Sequence, residues 1–252
     1  MEEIQQSKLI FFIPLIAGYA SASLISYLLF LKFGLISKKE IPKTKKSFSE
    51  LIYILIAIIG IFILGRIYSA GYLIPSKFNP MAWIINNLII YSPIFIILIF
   101  RKQSTVTIWI SFNKWYLKLA FGVLASIVAL SIFLILRSEW YRWPEIIEKS
   151  ISIEGLSYFP AVFLEGVALA FIFVRLKWVF NLKFAITIPA LLFALAHLPR
   201  AISNGDPWWD MLFFSIINGT ITVYVLYTCD RTKDIIWIGL VHYFLDVATN
   251  AF

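Results

Sequence analysis

The sequence predicts an all-α membrane protein, a bundle of about eight transmembrane helices. Three observations predict it. Hydrophobic residues make up 61% of the 252 and charged residues only 14%, with a mean hydropathy of +0.86. Soluble domains carry roughly a quarter charged residues, so this is a membrane composition. Apolar runs of about 20 residues recur along the chain, the length at which a helix crosses hydrocarbon. Lys and Arg gather in alternate connections between those runs, and such a bias orients membrane helices.

The expected spans are 9–31, 51–74, 82–100, 117–136, 157–176, 183–202, 210–228 and 234–251. The first follows Lys8 and could pass for a secretory signal. Its run from Leu9 to Leu31 is too long for a signal core and lacks a small-x-small cleavage pattern, so a retained helix is expected. Lys38–Ser49 reads as a Lys-rich connector. Arg137–Gly155 mixes charges with Trp140, Tyr141, Trp143 and Pro144, which suits an interfacial segment because Trp and Tyr favour the headgroup level. One membrane domain is expected over 1–252, with accessory helices in 1–136, the interfacial segment in 137–156 and a polar-bearing core in 157–251. The lone Cys229 excludes an intrachain disulfide and a cysteine-based metal cluster, and reads as a packing residue.

The net charge is +8. Basic chains often bind nucleic acid, but here the cations sit in short loops, so topology and lipid headgroups explain them and no nucleic-acid partner is expected. The first, third, fifth and seventh connections hold 15 Lys and Arg residues, the opposite side 6, and Arg66 lies within the second span. That asymmetry puts the odd connections in the cytoplasm and both termini outside, for a multi-pass protein of the plasma membrane.

Four ionisable residues then stand out inside apolar stretches: Glu165, His197, His242 and Asp246. Such groups are expensive in hydrocarbon and usually face a bundle interior or a wet cavity. Counting about 1.5 Å per residue puts Glu165 and His242 roughly 12 Å below the outer boundary, His197 roughly 9 Å below it, and Asp246 a turn nearer the outside. Three helices thus deliver titratable groups to one layer. His242 and Asp246 are spaced i, i+4 and share a helix face, as do Phe193 and His197. Carboxylate plus histidine is the minimum equipment for activating water by general-base chemistry. Asn86, Asn87 and Asn218 fall in the same outer half, where amides commonly bridge helices. Arg66 should find a carboxylate, with Glu165 and Asp246 the available partners.

These residues resemble the motifs of the CPBP family of intramembrane CAAX proteases and bacteriocin-processing, Abi-like or self-immunity proteins. That family shows Glu-Glu-x-x-x-Arg, then Phe-x-x-x-His, then His-x-x-x-Asn or Asp on successive helices. This chain has Phe193-Ala-Leu-Ala-His197 and His242-Tyr-Phe-Leu-Asp246, while Glu165 matches the first Glu, with Gly166 at the second and Ala170 at the Arg. The motifs cover about 157–251; upstream, only the helix count supports the match. The resemblance implies that Glu165 activates water, His197 helps to hold it, His242 donates to the developing oxyanion, and Asp246 is a second oxyanion ligand or orients His242. Arg66, Phe193 and Asn218 would support the site.

The expected function is an intramembrane endopeptidase that cuts a peptide or protein at the membrane without a cofactor. One alternative is a catalytically inactive relative acting as a binding or immunity partner, since Gly166 and Ala170 remove one anion and one cation together. Another is a zinc enzyme with Glu165, His197 and His242 as ligands, although no His-Glu-x-x-His pair lies on one helix. An ion or proton carrier using the buried carboxylates is a third.

Overall fold

In a computed structural model of the chain, the apolar stretches fold into nine α-helices among the described residues, which are 2–36, 41, 48–75, 79–198, 202, 205 and 207–249. They are α1 (Glu2–Lys32), α2 (Ser49–Ser69), α3 (Pro80–Phe100), α4 (Trp115–Leu136), α5 (Trp143–Ile151), α6 (Ile153–Val179), α7 (Leu182–Ala196), α8 (Trp208–Thr232) and α9 (Ile236–Thr249). No strand occurs among the described residues. Most of the expected Lys-rich connector, together with Lys77 and Arg200, lies outside them.

Six helices are long and apolar enough to cross a membrane: α1 from Phe12 onward, α2, α3, α4, α6 and α8. The remaining two expected spans, 183–202 and 234–251, form the shorter helices α7 and α9, of 15 and 14 residues. At about 1.5 Å per residue each falls short of a 30 Å core. The expected interfacial segment carries a short 3-10 turn, Trp140–Arg142, and the amphipathic α5, which buries Ile146 and Ser150 and exposes most of the rest.

Helix ends follow side-chain chemistry. Asn79, Ser152 and Asn181 accept from the backbone N–H groups of Ala82, Gly155 and Phe184, satisfying donors that a helix start leaves unpaired. Asp234 accepts from the Ile236 N–H at 2.8 Å and starts α9 the same way. The α2–α3 connection is latched by Asn86, which donates to the Ile74 carbonyl at 2.7 Å and accepts from its N–H at 3.3 Å.

Helix α6 is the central rod, packed against α2, α3, α7 and α9 and 61% buried, whereas the peripheral α2 is 11% buried. Helices α1 and α9 both pack on α4. Lipid is as apolar as a leucine side chain, so close packing rather than water exclusion holds such helices together. Gly122 shows how close. A Cβ there would stand 2.9 Å from the Trp237 Cα and 2.7 Å from a Leu240 methyl, so only glycine lets α4 and α9 meet at that height.

The end of the bundle where the basic connections lie is closed by ion pairs. Glu50, fully buried, accepts from Arg101 at 2.8 Å and faces the Arg175 Nε at 3.4 Å. Arg175, also fully buried, donates to the Gln103 side chain, donates to the Phe171 carbonyl at 3.2 Å and lies over the Phe171 ring at 3.5 Å. Lys118 pairs with Asp234 at 2.8 Å and donates to the Ser111 carbonyl at 2.9 Å. Asp230 holds Lys177 at 2.7 Å and also Lys233. Several of the basic residues that read as topology signals are therefore tied into the fold.

Candidate functional site

The opposite half of the bundle holds the residues singled out from sequence. Glu165 is at the middle of α6, half-buried, where it lies within electrostatic reach of His242, His197 and Asp246. His197 is the C-terminal cap of α7. His242 and Asp246 share one face of α9. The Phe193 ring joins the two imidazoles, with centroids 4.6 Å from His197 and 6.4 Å from His242. Three helices bring these groups to one place.

The two imidazoles and the Asp246 carboxyl are each held by a specific contact. The Nδ1 of His197 lies 2.8 Å from the Phe193 carbonyl oxygen one turn back. A carbonyl can only accept, so Nδ1 carries the proton, and in the neutral ring Nε2 keeps its lone pair. The Nε2 of His242 faces the Asp246 Oδ1 at 3.5 Å, an ion contact longer than a tight hydrogen bond. The other oxygen, Oδ2, accepts from the Tyr158 hydroxyl at 3.2 Å. The His242 and Asp246 side chains keep 20% and 24% of their exposure, so neither is sealed inside the bundle. Tyr19 of α1 sets its ring edge against His242 at 6.1 Å, and Phe214 of α8 stands 6.1 Å from His197.

Two expectations are corrected. Arg66 makes no ion pair with Glu165 or Asp246 among the described residues; it is exposed in the last turn of α2. The reason is that α2 ends at Ser69, five residues short of the expected span, where Gly71 takes the left-handed conformation at φ +80°. Arg66 thus comes to the helix end, where a long side chain can carry its charge to the interface. Asn218, expected to support the site, donates to the Phe214 carbonyl of its own helix at 3.1 Å. Asn87 does likewise toward Trp83 at 2.9 Å.

Gly166 and Ala170 differ in their surroundings. A Cβ at Gly166 would meet open space beside Glu165, whereas Ala170 is fully buried in the core. Among the described residues, no group of three or more His, Cys, Asp or Glu side chains is disposed to hold a metal ion.

Sequence reasoning missed Tyr158 and Tyr19. Both look like packing residues within apolar runs, but Tyr158 precedes Glu165 by seven residues, a spacing that puts both on one helix face. It also missed the buried ion pairs, whose signal was acids at the same helix ends as the bases: Glu50, Asp230 and Asp234. The chain matches no protein-family model, no curated protein and no solved structure.

Proposed function

We propose that this chain is an intramembrane endopeptidase of the CPBP type. The observation that supports it is the meeting of one carboxylate and two imidazoles, from three helices, in the interior of an apolar bundle. On this reading the chain crosses the plasma membrane with both termini outside, and α7 and α9 complete eight crossings. The ion-paired end faces the cytoplasm, and the site opens toward the outer face.

The chemistry follows from the geometry. Glu165 takes a proton from a water molecule held with the help of the His197 Nε2 lone pair. The water oxygen bonds to the scissile carbonyl carbon, and the carbonyl oxygen becomes an oxyanion. His242 donates a hydrogen bond to that oxygen. Glu165 then returns its proton to the leaving amine as the C–N bond breaks. Asp246 serves to orient His242. The substrate is a peptide or protein within or beside the bilayer.

The test compares protein N-termini in membranes of cells expressing the wild-type chain or Glu165→Gln. General-base catalysis contributes about 10²–10⁴-fold, so product termini should fall at least ~100-fold in the variant. Identical termini in the two membranes would exclude the proposed base.

A second reading is a non-cutting relative that binds a membrane partner or confers immunity. It is favoured by the fully buried Ala170, which leaves no room for an arginine at that point of the motif. Rescue of a deletion phenotype by the double variant Glu165→Ala/His197→Ala would select it.

A further inference from the structure

Tyr158 sits on α6 about two turns before Glu165 and on the same face. Its hydroxyl reaches across to α9 and donates to Oδ2 of Asp246 at 3.2 Å, while Oδ1 of the same carboxyl faces the His242 Nε2 at 3.5 Å. Asp246 therefore bridges a phenol on one helix and an imidazole on its own. The i, i+4 spacing alone would leave the carboxyl free to turn about its last bond; a second contact from another helix removes that freedom.

The phenol is itself held. Its ring stacks on Trp83 of α3 with centroids 6.5 Å apart and planes 20° from parallel. Trp83 in turn receives the edge of Tyr68 of α2 at 5.9 Å. A wall of rings running from α2 through α3 thus fixes the position of one oxygen. The Tyr19 ring of α1 meets the His242 ring edge to face, with centroids 6.1 Å apart. Helices α1, α2 and α3, which carry none of the motif residues, supply these walls.

There is also an electrostatic reason for a donor at this place. An ionised Asp246 beside His242 would repel an oxyanion forming there. A hydroxyl donating to Oδ2 draws negative charge toward the side away from His242. Arg66 makes no ion pair with Asp246 among the described residues, and the Tyr158 hydroxyl is one donor to that carboxyl.

We propose that Tyr158 is a positioning residue of the site, which fixes the Asp246 carboxyl and through it the orientation of the His242 imidazole. What the oriented imidazole does rests on the endopeptidase reading; whether it is oriented does not.

The chain has two histidines, both at the site, so ring nitrogen-15 resonances of histidine-labelled protein in lipid nanodiscs report two imidazoles, told apart with His197→Asn. In Tyr158→Phe, which keeps the ring stack and removes the hydroxyl, the His242 resonances are expected to move while those of His197 stay, at an unchanged melting temperature. Asp246→Asn should also move His242, and adding Tyr158→Phe to it should change nothing further. His242 resonances identical in wild type and Tyr158→Phe would overturn the assignment. So would an equal added shift in the Asp246→Asn background. The two readings fail separately. Undiminished processing by Glu165→Gln with a moved His242 in Tyr158→Phe removes the endopeptidase and leaves the positioning role standing, whereas lost processing with an unmoved His242 does the reverse.

Discussion

The two ends of this bundle treat buried charge in opposite ways. At the basic end each acid among the described residues is matched to cations at 2.7 to 3.4 Å, as with Glu50 to Arg101 and Arg175, Asp234 to Lys118, and Asp230 to Lys177. At the other end Glu165 lies among two imidazoles, a second acid and the phenols of Tyr19 and Tyr91, His242 meets Asp246 at 3.5 Å, and the His242 and Asp246 side chains stay partly exposed. The first arrangement consumes its hydrogen-bonding capacity within the fold. The second keeps some in reserve for a molecule from outside. Polar residues in a membrane core are thus of two kinds, and pairing geometry tells them apart better than residue type does.

The comparison is broken most severely at Glu50. Removing one member of a buried ion pair strands the other and costs about 3–5 kcal/mol. Glu50→Leu should therefore lower the melting temperature steeply, measured by circular dichroism in detergent. Glu165→Gln, at the other end, should leave that temperature nearly unchanged while abolishing processing. Comparable destabilisation by the two would erase the distinction between anchor and site.

A smaller effect is expected at the surface ion network between α4 and α6. Glu139 accepts from Arg137 at 2.7 Å and from Arg142 at 2.9 Å, and those bonds hold its carboxyl below the usual range. Glu145, bonded to Lys149 and Arg142, is shifted the same way. A folded-state value below the unfolded one gives stability that is present above the ordinary value of 4.5 and is lost as pH falls through the depressed one. Pairs this exposed are screened by solvent and contribute little, so only local opening is expected. Amide exchange of 143–151, corrected for the intrinsic pH dependence, should quicken as pH falls below 4.5 and through the depressed values, while that of 167–175 holds steady. Equal quickening of both would point to global unfolding instead.

The smallest effect belongs to Arg66. A surface residue without a specific partner changes stability by about 0.5 kcal/mol or less. Arg66→Leu should melt with the wild type, and a drop of several degrees would show that the guanidinium holds a carboxylate after all.

Much of this architecture was legible because hydrophobic length and loop charge are local signals. The long helices fall within a few residues of the apolar runs, and the polar residues of 157–251 do come together. What escaped the sequence depended on where helices stop and where side chains point. An apolar run continues past the last turn of α2, so Arg66 seemed buried, and α7 stops at Ala196 where a span of 183–202 was expected. Arg101 and Arg175 follow apolar stretches and look like topology signals, because nothing local reveals an acid 51 residues away in one case and 125 in the other. Tyr158 looked like packing since tyrosine is at home in both settings, and only the fold shows its hydroxyl on Asp246.

Helix α6 carries both Arg175 and Glu165, ten residues apart. Ten residues of α-helix measure about 15 Å and behave as a stiff strut over that distance. The guanidinium, moored to Glu50 of α2 and to Gln103 beyond the end of α3, thereby sets the height at which the carboxylate hangs in the bundle. A change of lipid thickness that shifted the outer helices would be resisted at this mooring first, and the layer of Glu165 and the two imidazoles would keep its altitude for as long as the mooring held.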